Sequence, residues 1–404
     1  MKEIKLFKMK NVIQEYAWGS PDAIPGLLGI DNPEKKPKAE LWMGAHGKAP
    51  SRIEQGNKEI PLDQYIRENK VAVLGGKLAE KYGNLPFLFK VLAAGSPLSI
   101  QVHPNKKQAE KGFARENSLG IAIDAFNRNY KDDNHKPEII CALTEFWAMR
   151  GFRPFQDIAD RFEALDIPSF RRETAAFRSN LTSEGLETFF NALMSLEGEK
   201  KDRFIRELTG AAAGIQGDEY QWVLRLYEKY SDDAAIAAPL YLNLLKLEPG
   251  QALYLSAGEL HAYLDGLGME LMASSDNVLR GGLTPKYIDR EELGNIVNFN
   301  GSEPEILQAR ATDPLTEIYR TPSKEFELAR LSLRRGGASY DTASIGSVQI
   351  LFLTEGSADF TSADGEILHA EKGESLFIPA GAPSWMVEGD ALIFRASVPE
   401  DGAL

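Results

Sequence analysis

Apolar residues recur in two rhythms along the chain. From the start to about Arg153, short apolar or alternating runs are separated by Gly and Pro, which predicts β-rich structure with some helix around Leu62 to Tyr82. In Leu98-Ser99-Ile100-Gln101-Val102-His103, a period of two sends Ile100 and Val102 to one face and Ser99, Gln101 and His103 to the other. That second face is polar, so it lines either solvent or a site. At Arg153-Pro154 the rhythm changes. Phe155, Ile158, Phe162 and Leu165 recur at helical spacing, as do Leu186, Phe189, Phe190, Leu193 and Met194, then Trp222, Val223, Leu226 and Tyr230. Pro154 suits a first helical turn, and residues 154–238 are expected to form a helical module between β segments, its aromatic stripes serving as packing. After Leu242 the β texture returns. Thr284-Pro285 predicts a further helix, capped by Thr284 and running to about Phe299. A linker containing Pro304, Pro314 and Pro322 then leads to a last β unit from about Phe326.

The second β region repeats itself. Gly250 to His261 and Gly373 to Ser384 share one frame: Gly, five residues, a turn former, one residue, Gly, two residues, then a key position. Physically this is a strand entering a tight turn, where glycine takes backbone angles other residues resist, followed by a residue aimed back into a barrel. The frame resembles the second motif of cupins, small β-barrels that hold a metal in their mouth. Only the first copy keeps histidine. The expected fold is therefore mainly β with an α-helical insertion: two cupin-like (jelly-roll) barrels plus a helical domain. The division reads 1–153 and 239–322 for the first barrel, 154–238 for the helices, and 323–404 for a metal-free second barrel.

At 404 residues the chain is too long for one ordinary core, and 43% hydrophobic with 26% charged residues is a globular composition. A net charge of -13 argues against nucleic-acid or anionic-membrane partners, so an anionic ligand would need a local basic cluster. The first ten residues interleave charge with apolar positions and offer no secretory apolar core, and no run is long enough to span a membrane. The single cysteine, Cys141, lies in an apolar run and reads as a buried strand residue in a reducing compartment. A cytoplasmic monomer is expected.

Five histidines exist: His46, His103, His135, His261 and His369. His103 shares a strand face with Gln101, His261 closes the first Gly frame, and Glu138 ends His135-Lys136-Pro137-Glu138. Two imidazoles, a carboxylate and an amide oxygen suit Zn²⁺ with room for substrate oxygens. Spacing alone leaves open whether His103 and His261 share a metal.

Several motifs in order resemble the type I mannose-6-phosphate isomerases, over nearly the whole chain: Gln14 to Ser20, Glu40 to His46, Pro86 to Leu92, Leu98 to Asn105, His135 to Glu138, and Leu279 to Tyr287. The resemblance implies one zinc per chain on Gln101, His103, Glu138 and His261. It places Arg280 at the family's active-site arginine and suggests Ser99 and Lys286 for phosphate contact, with Lys90 as a further substrate-binding cation. Trp18 is either a wall for the sugar ring or core packing. The implied reaction interconverts mannose 6-phosphate and fructose 6-phosphate through a cis-enediolate. Arg280 would hold the developing charge. The proton-transferring base is open between Lys136, which would need its pKa depressed, and the carboxylates Asp276 and Glu270. His46 and His135 read as structural or supporting residues and His369 as non-catalytic. Two rivals are a non-catalytic cupin-like sugar-phosphate binder and a zinc hydrolase, the latter disfavoured by the missing His-Glu-x-x-His signature.

Overall fold

A computed structural model describes residues 5–55 and 58–399. Its frame is two antiparallel sheets of 11 strands each, with helices gathered mainly between residues 155 and 241. The first sheet is centred on the 13-residue strand His261–Ala273, which pairs along its length with Phe87–Ala94, Glu138–Ala142 and Phe146–Phe152. The second is centred on the equally long Trp385–Ser397, flanked by Gln349–Ser362 and Glu327–Leu333.

The pleat decides which side chains become core and which become site. In Phe87–Ala94, Phe87, Phe89, Val91 and Ala93 point into an apolar core that also takes Ile139, Cys141, Met269 and Leu271 from the neighbouring strands. The second sheet supplies the other half of this core with Phe326, Leu328, Ile350, Phe352, Phe377 and Phe394. Successive side chains alternate, so the residues between them, Lys90, Glu138 and Glu270, are all turned to the opposite face. Isolated polar residues in apolar strands are thereby gathered into one place.

The helices behave as their apolar spacing predicts. Phe162, Phe170, Phe189 and Phe204 pack edge to face in a core shared with Ile100 and Val102, the apolar face of the alternating strand. Pro154 stands one residue ahead of the first of these helices, Phe155–Leu165, in the cap position.

Four local expectations need correction. The helix anticipated from Thr284 to Phe299 spans only Arg290–Ile296, because Asp289 is the actual cap, its carboxylate accepting from Glu292 N at 3.0 Å. Thr284 instead closes a short turn on Lys286 N. The strand expected over residues 98–103 is confined to Ile100–Val102. Lys106–Ser118 forms a 13-residue helix in a stretch read as β-rich, closed by a reciprocal Asn105 and Gln108 capping box. Finally, Thr316–Tyr319, within the stretch read as a linker, is a full strand of the second sheet beside Glu327–Leu333, and Phe7–Lys10 joins that sheet through Ser375–Ile378.

The two Gly frames have the same shape at their start. Gly250 and Gly373 share φ 88°, and each frame leads into the long central strand of its sheet. The frames diverge at the key position: Ser384 Oγ donates to Asp341, whereas His261 faces the metal group.

Candidate metal centre and active site

His103, Glu138 and His261 are buried together, with one potential ligand atom from each lying within 4.8 Å of the others. His103 Nε2 is 3.4 Å from Glu138 Oε1, and His261 Nε2 is 3.6 Å from Glu138 Oε2. The far nitrogens are fixed by backbone carbonyls: His103 Nδ1 donates to Asn277 O at 2.8 Å and His261 Nδ1 to Glu259 O at 2.9 Å. A carbonyl can only accept, so both imidazoles carry their hydrogen on Nδ1 and turn an Nε2 lone pair toward the carboxylate. His103 Nε2 is buried with no hydrogen-bond partner. A buried orphan acceptor beside a carboxylate and a second imidazole lone pair is a donor set that fits a borderline divalent cation. Burial lowers the His103 pKa to about 4 and lowers that of His261, which favours the neutral, ligating form. Burial alone would raise Glu138, but Lys136, His103 and His261 outweigh it and hold the carboxylate well below its usual range. Lys136 Nζ sits 2.9 Å from Glu138 Oε1.

Gln101 stands directly opposite His261 in one pairing and opposite Arg280 in another, so it lies between them in a cross-strand row. Its backbone is thereby set beside that of His261. Ser99 lies just before the strand, partly buried, so the alternation that was expected to share its face with Gln101 does not reach it.

A second row runs across Trp42, Lys90 and Glu270, which are consecutive register partners. Lys90 Nζ is 2.8 Å from Glu270 Oε2 and 3.3 Å from Glu40 Oε1, and Trp42 Nε1 donates to Glu40 Oε2 at 2.7 Å. Lys90 is thus a buried, paired cation and not a solvated surface charge. Burial pulls its pKa down, but Glu270 and Glu40 outweigh this and keep it protonated. Burial raises the proton affinity of Glu270. Asp276 is tied differently, to Lys48 at 2.7 Å and His46 at 3.5 Å, and these partners hold its carboxyl below the ordinary range against the effect of burial.

Arg280 is half-buried, and no carboxylate lies within salt-bridge distance of it among the described residues. Lys131 and Lys286 are close enough for their charges to act on it and on each other; burial, then this like-charge crowding, lowers the pKa of Lys286. Asp276 offsets part of the repulsion at Lys131, and the three cations together make this side of the site electropositive. Lys286 also lines a cavity of about 720 Å³ beside the helices, to which the histidine–carboxylate group does not contribute. Trp18 packs partly against the core under the site, its ring 5.8 Å from Tyr16. His369 is an exposed partner of Asp359, far from this chemistry in role and sheet.

Sequence reasoning missed Lys131, Glu40, Tyr263 and Asn277. Tyr263 was findable, since it follows His261 by two on one strand; its hydroxyl is buried near Glu270, and burial first, then that carboxylate, push its pKa far up. Asn277, fully buried, receives Lys131 N and donates to Asn134 O, which staples the loop carrying Lys131 and Lys136.

Comparison with known proteins agrees with this geometry. Residues 6–155 match the family model described as phosphomannose isomerase type I, catalytic domain. A mannose-6-phosphate isomerase of Salmonella typhimurium is 45% identical over 377 residues, covering 92% of this chain and 94% of that protein. The chain belongs to the type I mannose-6-phosphate isomerase family. The human mannose-6-phosphate isomerase is 33% identical across 97% of this chain and 98% of its own length. Among solved members of the family, a Salmonella typhimurium mannose 6-phosphate isomerase bound to substrate and zinc superposes with a TM-score of 0.92, at 41% identity, covering 98% of this chain and all of that one. No helix among the described residues is long and apolar enough to cross a membrane.

Proposed function

We propose that this chain is a zinc-dependent aldose–ketose isomerase interconverting D-mannose 6-phosphate and D-fructose 6-phosphate through a cis-enediolate. The observation that carries the reading is a buried histidine–carboxylate–histidine group linked through the Gln101 register row to Arg280, on whose far side Lys131 and Lys286 add positive charge. Gln101, His103, Glu138 and His261 would hold one zinc, which supplies Lewis acidity toward the substrate oxygens. The chain's own groups do the rest. Lys286, Lys131 and Ser99 take the phosphate, relieving the repulsion among the cations. Arg280 faces the negative charge that develops on the enediolate and stabilises the transition state more than the sugar. Of the three base candidates, Asp276 is a weak proton acceptor because His46 and Lys48 hold its pKa down, so we assign it to orienting those residues instead. Glu270 is favoured as the base because burial raises its proton affinity, while Lys90, hydrogen-bonded beside it, pulls the other way and keeps the carboxylate available. Lys136 neutralises Glu138 and faces the same space.

We read the two sheets as two cupin-type jelly-rolls joined by a helical domain over residues 154–238, the metal-bearing unit on the first sheet and the metal-free unit on the second, with the boundaries expected at 153 and 322 blurred because Phe7–Lys10 and Thr316–Tyr319 pair into the second sheet. A cytoplasmic monomer is the accompanying expectation, checked by light scattering and cell fractionation. The deciding experiment is a coupled assay for fructose 6-phosphate formed from mannose 6-phosphate, with zinc measured on the same sample. Turnover with about one zinc per chain supports the proposal; zinc without turnover would leave a sugar-phosphate binder.

A further inference from the structure

The loop that delivers Lys136 and Glu138 is held from two sides. Asn277 grips it from the first sheet. On the other side His135, the residue before Lys136, places Nε2 3.1 Å from Glu325 Oε1, and Glu325 belongs to the connection between Thr316–Tyr319 and Glu327–Leu333 of the second sheet. Glu325 is itself fixed: its other oxygen accepts from Ser323 Oγ at 3.1 Å and Lys324 N at 3.2 Å. The connection is anchored at both ends, through Tyr319 OH donating to Gly250 O at 2.8 Å, at the turn into strand Gln251–Leu255 of the first sheet, and through Tyr82 OH, at the end of helix Gly76–Lys81, donating to Lys324 O at 3.2 Å. Burial would raise the Glu325 pKa, but His135 and Ser323 outweigh it, so the carboxylate stays charged against the imidazole.

We infer that Glu325 is a positioning residue for the isomerase site, supplied by the second sheet and acting through His135 on the turn that aims Lys136 and Glu138. A rigidly held carboxylate on the loop's imidazole fixes where the turn enters strand Glu138–Ala142, and an error of an ångström there is costly to both metal and chemistry. The second sheet thereby completes a site to which it contributes no metal ligand.

This inference rests on the isomerase reading, and the test separates them, since an inactive wild-type enzyme would defeat that reading first. On zinc-loaded full-length protein, Glu325→Ala is expected to lower kcat about tenfold, with KM changed less than twofold and zinc still near one per chain. Glu325→Gln, isosteric and still presenting an oxygen to His135, should recover most of the loss. His135→Ala should lower kcat similarly, and adding Glu325→Ala to it should cost nothing further. Wild-type kcat in Glu325→Ala, additive losses in the double variant, or a Glu325→Gln enzyme as impaired as Glu325→Ala would each overturn the assignment. So would a loss that tracks a fall in melting temperature across the series.

Discussion

At the scale of single residues, the site separates groups that hold the metal from groups that act on the substrate, and substitution should reveal the difference. His261 offers an Nε2 lone pair to the site, 3.6 Å from Glu138 Oε2. His261→Ala should therefore lose both zinc and turnover, and metal analysis finding a full equivalent of zinc would contradict its role as a ligand. Among the described residues Arg280 makes no ion pair, so Arg280→Ala should keep zinc and melting temperature while kcat falls by about 10²–10³, the scale for removing one charge-stabilising donor. Near-normal turnover would return Arg280 to the class of ordinary surface charges. Part of this was legible in the sequence. Period two put Gln101 and His103 on one face, and the Gly frame singled out His261. The convergence itself was not legible, because His103, Glu138 and His261 come from three segments distant in sequence that only the folded chain brings within reach of one another. Lys131 escaped for a plainer reason: it sits in a polar run where a lysine looks solvated, and only Asn277 on another segment turns it toward Arg280.

At the scale of elements, alternation along the strands does most of the sorting. Cys141 shows how sharply: one residue away in register from site-facing Ile140, it points into the core between the sheets, with its thiol pushed up to about 11 by burial. Native protein should leave it unreactive to thiol reagents at pH 8, and denaturation should expose one thiol per chain; rapid native labelling would mean the sheets open there. The loop over residues 131–138 should depend on Asn277 more than on its own sequence. Asn277→Ala strips several buried hydrogen bonds at once and frees the segment whose backbone holds His103 Nδ1. Zinc affinity should weaken about 10–100-fold, measured by competition with a chromogenic chelator; an unchanged affinity would show the loop to be self-supporting. Elements were less legible where local signals competed. Thr284-Pro285 is a good helix start, yet Asp289 with Glu292 three residues on is a better one, and the stronger cap won. The same logic, applied to Asn105 and Gln108, would have found the helix Lys106–Ser118.

At the scale of the whole molecule, a chain divided by its sequence texture into segments is joined by its packing. The core between the two sheets draws Phe89, Val91, Met269 and Leu271 from one and Ile350, Phe352, Phe377 and Phe394 from the other, and neither half is covered without its partner. The strand Phe7–Lys10 carries the start of the chain into the second sheet, pairing with Ser375–Ile378 at one edge and Arg52–Gln55 at the other. Texture could not show this, since a strand's sheet is chosen by partners hundreds of residues away. Exposing such a core costs about 25 cal/mol for each Å² of apolar surface, so removing one sheet would strip the other of far more stability than a domain has to spare. Calorimetry on the zinc-loaded protein should accordingly show both sheets melting in one transition. Chelation should move that whole transition down, because zinc at 100 times its dissociation constant adds about 2.7 kcal/mol to the folded state. If instead an early peak shifted with zinc while a later one stayed in place, the second sheet would be folding independently, and its hold on His135 through Glu325 could not be obligatory.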